Sequence, residues 1–200
     1  MKLYRPATVA VGVLFVLLGG LTRLAAPDQV FDEQNMQVVH GTIGEDLEYG
    51  DSTVTITRMK FAKTVVEEDG SDDDKPLETN GVYVALEWDT VRGIAKPQNA
   101  GATLVADGGT VYEPIGGLND SGIDFPNAGF AKTGAVVFEL NPTDLKGLKL
   151  QLRPSMLYNV LNAYVEVDLG IPGEEVAQQL VDGAEAQYVL QEPVVRVASS

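Results

Sequence analysis

The sequence predicts an all-β protein: a two-sheet antiparallel β-sandwich, preceded by an N-terminal transmembrane helix and followed by one short C-terminal helix. Three observations carry this. Lys2 and Arg5 precede a long apolar run from Ala7 to Leu21. Short runs rich in β-branched residues, divided by Gly, Pro, Asn and Asp, then recur to Val197, the pattern of a sandwich. Helical spacing occurs in that region only between Pro172 and Asp182.

The first 26 residues hold three basic residues and no acid. A secretory signal has a basic region, an apolar region and a small-residue cleavage site. Cutting after Ala26 would put Leu24 at −3 and Pro27 after the cut; cutting after Ala25 would put Arg23 at −3. Neither resembles Ala-x-Ala. Ala7 to Ala26 can instead remain as an anchor, because a helix of that length, at about 1.5 Å per residue, spans a hydrocarbon core of about 30 Å. Arg23 lies near its far end, where the side chain can snorkel. Lys2, Arg5 and the amino terminus keep the N-terminus cytoplasmic and the rest of the chain outside. A retained single-pass anchor and a secreted chain cleaved near Ala26 both stay open. No Cys is present, so a lipid-modified Cys anchor is excluded.

Residues 27–36 are polar and aperiodic and read as a stalk. Residues 37–200 read as one acidic domain with a C-terminal extension. Gln37–Ile43 is a weak strand, and Gly44–Asp51 a turn region. Ser52–Val66 is one or two strands. Val54 and Ile56 share a face, Met59 and Phe61 fall on the opposite parity, and a bulge near Arg58 reconciles them. Glu67–Asn80 is a charge-dense loop. Gly81–Val91 is the clearest strand: Val82, Val84, Leu86 and Trp88 line one face, and Tyr83, Ala85, Glu87 and Asp89 the other. Trp88, the only Trp, reads as a core anchor.

Ala102–Pro114 forms a hairpin turning at Asp107-Gly108-Gly109. Ile115–Phe130 is an irregular connection. Thr133–Leu140 is a strand with Val136, Phe138 and Leu140 inward. Asn141–Gly147 is a compact turn, Leu148–Arg153 a strand, and Ala163–Leu169 another with Val165, Val167 and Leu169 inward. Pro172–Asp182 is the helix, with Glu174 and Glu175 suited to its N-terminus. Gln187–Val197 is a last strand, interrupted at Pro193 and therefore at an edge. The count is seven to nine strands.

Residues 81–169 resemble a bacterial family of exported or membrane-anchored domains of unknown function with a telokin-like immunoglobulin fold. The features that carry the resemblance are the Gly-led strand GVYVALEWDTV, the hairpin LVADGGTVYEP, then GAVVFELNPTDLKGLKLQL, and YVEVDL. The resemblance implies an immunoglobulin-like antiparallel sandwich. It implies no mechanism.

Residues 27–200 carry 11 Lys and Arg against 29 Asp and Glu, a net of −18. Such a domain repels nucleic acid and anionic headgroups. With no Cys there is no disulfide scaffold, thiolate zinc site or thiol nucleophile, and a domain of this length buries a sufficient core without disulfides. His40 is the only histidine, in a strand-like run that lacks the surroundings of a catalytic triad. No GxGxxG, P-loop or HExxH occurs. Asp69, Asp72, Asp73 and Asp74, with Glu67 and Glu68, could offer oxygen ligands to Ca²⁺, although the EF-hand pattern is absent and a solvated loop has the same composition. Asn119-Asp120-Ser121 matches a glycosylation sequon. No catalytic residue and no cofactor is assigned.

The expectation is therefore a noncatalytic extracytoplasmic interaction module tethered to the cytoplasmic membrane, an accessory to a membrane-protein partner. An extracytoplasmic binding or sensing protein for a cation or small solute is the alternative.

Overall fold

The computed structural model describes residues 37–67, 75–94, 99–116, 118, 122–154 and 163–198. The anchor, the stalk and the sequon lie outside them. No described helix is long and apolar enough to cross a membrane.

The described residues form a β-sandwich of two six-stranded sheets. Sheet A runs in the order β1 (Gln37–Thr42), β10 (Ala163–Asp168), β9 (Lys149–Pro154), β5 (Asn99–Val105) and β6 (Val111–Tyr112), with β7 (Gly122–Asp124) also beside β5. Sheet B runs β11 (Tyr188–Leu190), β3 (Ser52–Glu67), β4 (Leu77–Val91), β8 (Phe130–Leu140) and β12 (Val194–Val197), with β2 (Asp46–Tyr49) also beside β3. One helix, α1 (Glu174–Asp182), follows β10. The turn after β8 holds a short 3-10 helix, Pro142–Asp144, capped by the Asn141 side chain.

The inward register is the one that alternation predicts. Val82, Val84, Leu86, Trp88, Val136, Phe138, Leu150 and Val167 are all buried in the main core between the sheets. Consecutive β4 residues pair antiparallel with β8, from Val82 opposite Leu140 to Val91 opposite Ala131. The phase shift in β3 is a real irregularity: its register against β4 slips between Ile56 and Arg58, and again between Ala62 and Thr64. A bulge of this kind lets Val54, Ile56 and Phe61 all reach the core. Tyr49 stacks on Phe125 with ring centroids 5.6 Å apart.

Several sequence expectations are corrected. The sheets are not antiparallel throughout: β1 runs parallel to β10, and β11 parallel to β3. There are twelve strands among the described residues, more than seven to nine. The Gly44–Asp51 turn region contains β2, whose Leu47 and Tyr49 are buried. Four residues between glycines are too few for alternation to stand out. Leu77–Asn80, read as loop, begins β4 and pairs with the end of β3. The connection after Ile115 contains β7, paired with β5 and burying Ile123.

The outward face of β4 is not simply solvated. Tyr83 and Ala85 are buried with Ala62, Val65, Ala135, Val137 and Leu190 in a second, smaller core, on which Ile115, Leu118 and Tyr188 pack. Apolar residues at both parities of GVYVAL and GAVVF mark a strand covered on both sides.

The C-terminal extension is sewn to both margins of sheet B. α1 packs Val176, Leu180 and Val181 against the main core, with Ala177 buried. Glu185 then docks beside Ala62, and Lys60 Nζ meets its Oε1 at 2.5 Å. β11 joins β3, and after Gln191-Glu192-Pro193 the chain joins β8 as β12.

Candidate interaction surface

Three features of the described residues are open to solvent and chemically distinct: a polar ladder on sheet A, a groove under the C-terminal segment, and the free edge at β12.

The ladder follows from cross-strand register. His40 of β1 lies opposite Glu166 of β10, and Glu166 opposite Gln151 of β9. Lys149 Nζ donates to Glu166 Oε1 at 2.9 Å and Gln151 Nε2 to Oε2 at 3.1 Å. His40 Nδ1 is 3.5 Å from Oε1, with the imidazole 70% exposed. Beside them the Arg153 guanidinium lies 4.9 Å over the Tyr164 ring. Burial alone would raise the Glu166 carboxyl, but the bonds from Lys149 and Gln151, aided by the charges of Lys149 and His40, hold it below the usual carboxylate range. The lone histidine thus sits beside the Lys149–Glu166 ion pair at the exposed end of the ladder.

A pH dependence follows. A carboxyl lowered in the folded state stabilises above its unfolded value, and that increment is lost as pH falls through the folded value. Glu166→Gln is therefore expected to be less stable than wild type at neutral pH and to close that gap once the pH is taken below the folded-state value. Urea unfolding at the two pH values checks it. A gap independent of pH would show that the carboxylate charge contributes nothing.

The groove holds about 420 Å³ between the outer face of sheet B and the C-terminal segment, among Arg58, Glu87, Thr133, Tyr188, Gln191 and Glu192. Arg58 Nε is 3.6 Å from Glu87 Oε2. Burial, then the charge of Glu87 and a hydrogen bond to it, pushes the Tyr188 hydroxyl up to about 12. Thr133 Oγ1 donates to the Val194 carbonyl at 3.4 Å. The groove suits a small polar solute in character.

The edge is apolar. Val194, Val195 and Val197 of β12 are 60%, 55% and 74% exposed. Phe130, which lies opposite Val197, is also exposed. Arg92 N–H bonds the Phe130 carbonyl, and exposed Val91 ends β4 opposite Ala131 of β8. Among the described residues, four of nine exposed large apolar side chains, Phe130, Val194, Val195 and Val197, lie on the β8–β12 pair. The nearby charges are matched: Arg196 with Asp89, and Lys132 with Asp124 at 3.0 Å. β12 has one strand neighbour in the sheet. An uncovered apolar edge is a template for pairing with another chain.

Sequence reasoning located the edge through Pro193 but not the corner, which β4, β8 and β12 assemble from separate stretches. The metal candidates Asp69, Asp72, Asp73 and Asp74 lie outside the described residues. Among those described, no three His, Asp or Glu side chains converge as metal ligands would.

No protein-family model matches the chain, and no curated protein matches it. Among solved structures it is similar to an uncharacterized β-sandwich protein from Clostridium difficile 630. The identity is 12% and the TM-score 0.38, covering 66% of this chain and 95% of that one.

Proposed function

We infer that the chain is a noncatalytic interaction module, held at the outer face of the cytoplasmic membrane by its N-terminal segment, that meets a protein partner through the β12 edge. The observation that carries this is the exposed apolar edge strand β12, with Val194, Val195 and Val197, beside exposed Phe130 of β8. Soluble domains usually blunt such edges with charge, and a chain with a net charge of −15 has charge to spare. The N-terminal apolar run supports the tether, and the strand order along residues 81–169 supports the finer immunoglobulin-like, telokin-like reading of the sandwich.

The test is affinity capture of the full-length protein in mild detergent, beside a Val195→Lys, Val197→Lys double variant. Both side chains are exposed, so the variant is expected to fold with stability within about 0.5 kcal/mol of wild type. Partners held by wild type and lost by the variant support the edge as the contact surface. Partners held equally by both refute it. Peptides N-terminal to Pro27 in the same membrane preparation support a retained anchor; a soluble chain starting near Pro27 refutes it.

A binding role for a small polar solute is favoured by the groove alone. A thermal shift on adding solute, lost in Tyr188→Phe, would move the reading there.

A further inference from the structure

The β12 edge is self-complementary. Val195 and Val197 lie opposite Lys132 and Phe130 of β8, whereas Val194 and Arg196 lie opposite Thr133 and Ala131. Side chains alternate along a strand, so Val195 and Val197 share one side of sheet B. Arg196 projects from the other, where it reaches Asp89. A two-fold axis perpendicular to the sheet and passing through Arg196 would place Val195 of one copy opposite Val197 of the other, twice. In an antiparallel pair, residues directly opposite point to the same side, so this register meets apolar with apolar. It also leaves Pro193, which cannot donate to a ladder, outside the four central positions.

Charge selects the same occupant. The whole chain carries −15, so most approaches of one copy to another are repulsive. At this corner Asp89 is neutralised by Arg196, and Asp124 by Lys132. β12 itself contains no acid. The axis sets the two Arg196 side chains opposite each other, and the Asp89 carboxylate paired with each offsets that like charge, so two copies can approach edge to edge here, and backbone groups of β12 not directed at β8 would gain partners.

We propose that a second copy of this chain is the partner of the β12 edge, joined antiparallel across Arg196 so that the two B sheets become one continuous sheet. This rests on the reading of that edge as the contact surface. It narrows the partner to the chain itself.

The absence of native Cys makes the register directly testable. Full-length Val195→Cys and Val197→Cys, carrying different tags, are co-expressed, and the isolated membranes are oxidised. Directly opposite residues have Cβ atoms within disulfide reach, whereas diagonal ones are farther apart. The 195–197 crosslink is expected to exceed the 195–195 and 197–197 crosslinks several-fold. A Phe130→Lys substitution added to both tagged chains is expected to abolish it while expression and the unfolding midpoint stay near those of the parents.

Equal yields of all three crosslinks, or none above a pair placed at exposed Val111, would overturn the proposal. The double lysine variant separates this from the broader reading. Loss of a different captured protein without any crosslink leaves the edge as a contact surface and rejects the second copy. Neither loss nor crosslink rejects both.

Discussion

Trp88→Ala is expected to lower stability by about 3–5 kcal/mol, the cost of emptying a large aromatic site in a packed core. Trp88 heads the fully buried side chains, near the C-terminal end of β4 and opposite Gly134 of β8. A Cβ at Gly134 would lie 2.6 Å from Trp88 Cζ2, so the ring rests directly on the glycine. The two sites should therefore be coupled. Gly134→Ala alone is expected to cost about 1–3 kcal/mol through overpacking, and much less when Trp88 is already Leu. A double-mutant cycle by denaturant unfolding reads this coupling. Additive effects would mean that the ring does not depend on the glycine.

Gly81→Val is expected to be comparably severe for a different reason. A Cβ there would fall 2.2 Å from the backbone oxygen of Leu140. No rotamer change relieves a clash with main chain, so β4 and β8 must part locally. The expected loss is about 3 kcal/mol or more, with the unfolding midpoint in urea falling at unchanged slope. Gly101→Ala makes the control, since a Cβ there meets nothing nearer than 3.7 Å. Equal midpoints for the two variants would remove close approach as the role of Gly81.

These glycines show what was legible in the chain. Gly81 lies in the predicted strand Gly81–Val91 and Gly134 in the predicted strand Thr133–Leu140, and those strands form the centre of sheet B in the predicted inward register. The hairpin at Asp107-Gly108-Gly109, the turn after Asn141 and the helix after Pro172 also stand where the residues put them. β2 and β7 were hidden because each is too short to show a period. The parallel pairs were hidden because nothing local marks a strand's distant neighbour.

The candidate surface was legible only in part. Pro193 marks an edge, and the charge excess marks what the chain avoids. The meeting of Phe130 and Val197 depends on register between segments far apart in sequence. No window of sequence contains it.

The parallel margins carry a consequence for assembly in time. β1 begins the described sandwich, yet its strand partner, β10, ends at Asp168. β2 pairs with the start of β3, but the Val65–Glu67 end on that side waits for β11, at Tyr188–Leu190. Neither sheet can close from the first half of the chain alone. Contacts of such wide sequence separation make a slow folder, because loop closure must precede the gain. A chain emerging from its N-terminus would remain pliable until nearly its last residues are out, with β3 and β4 as the early hairpin and both margins as the final step. A chain truncated before Tyr188 would keep the Val65–Glu67 end of β3 unpaired on the side away from β4, ready to pair with whatever strand arrives first.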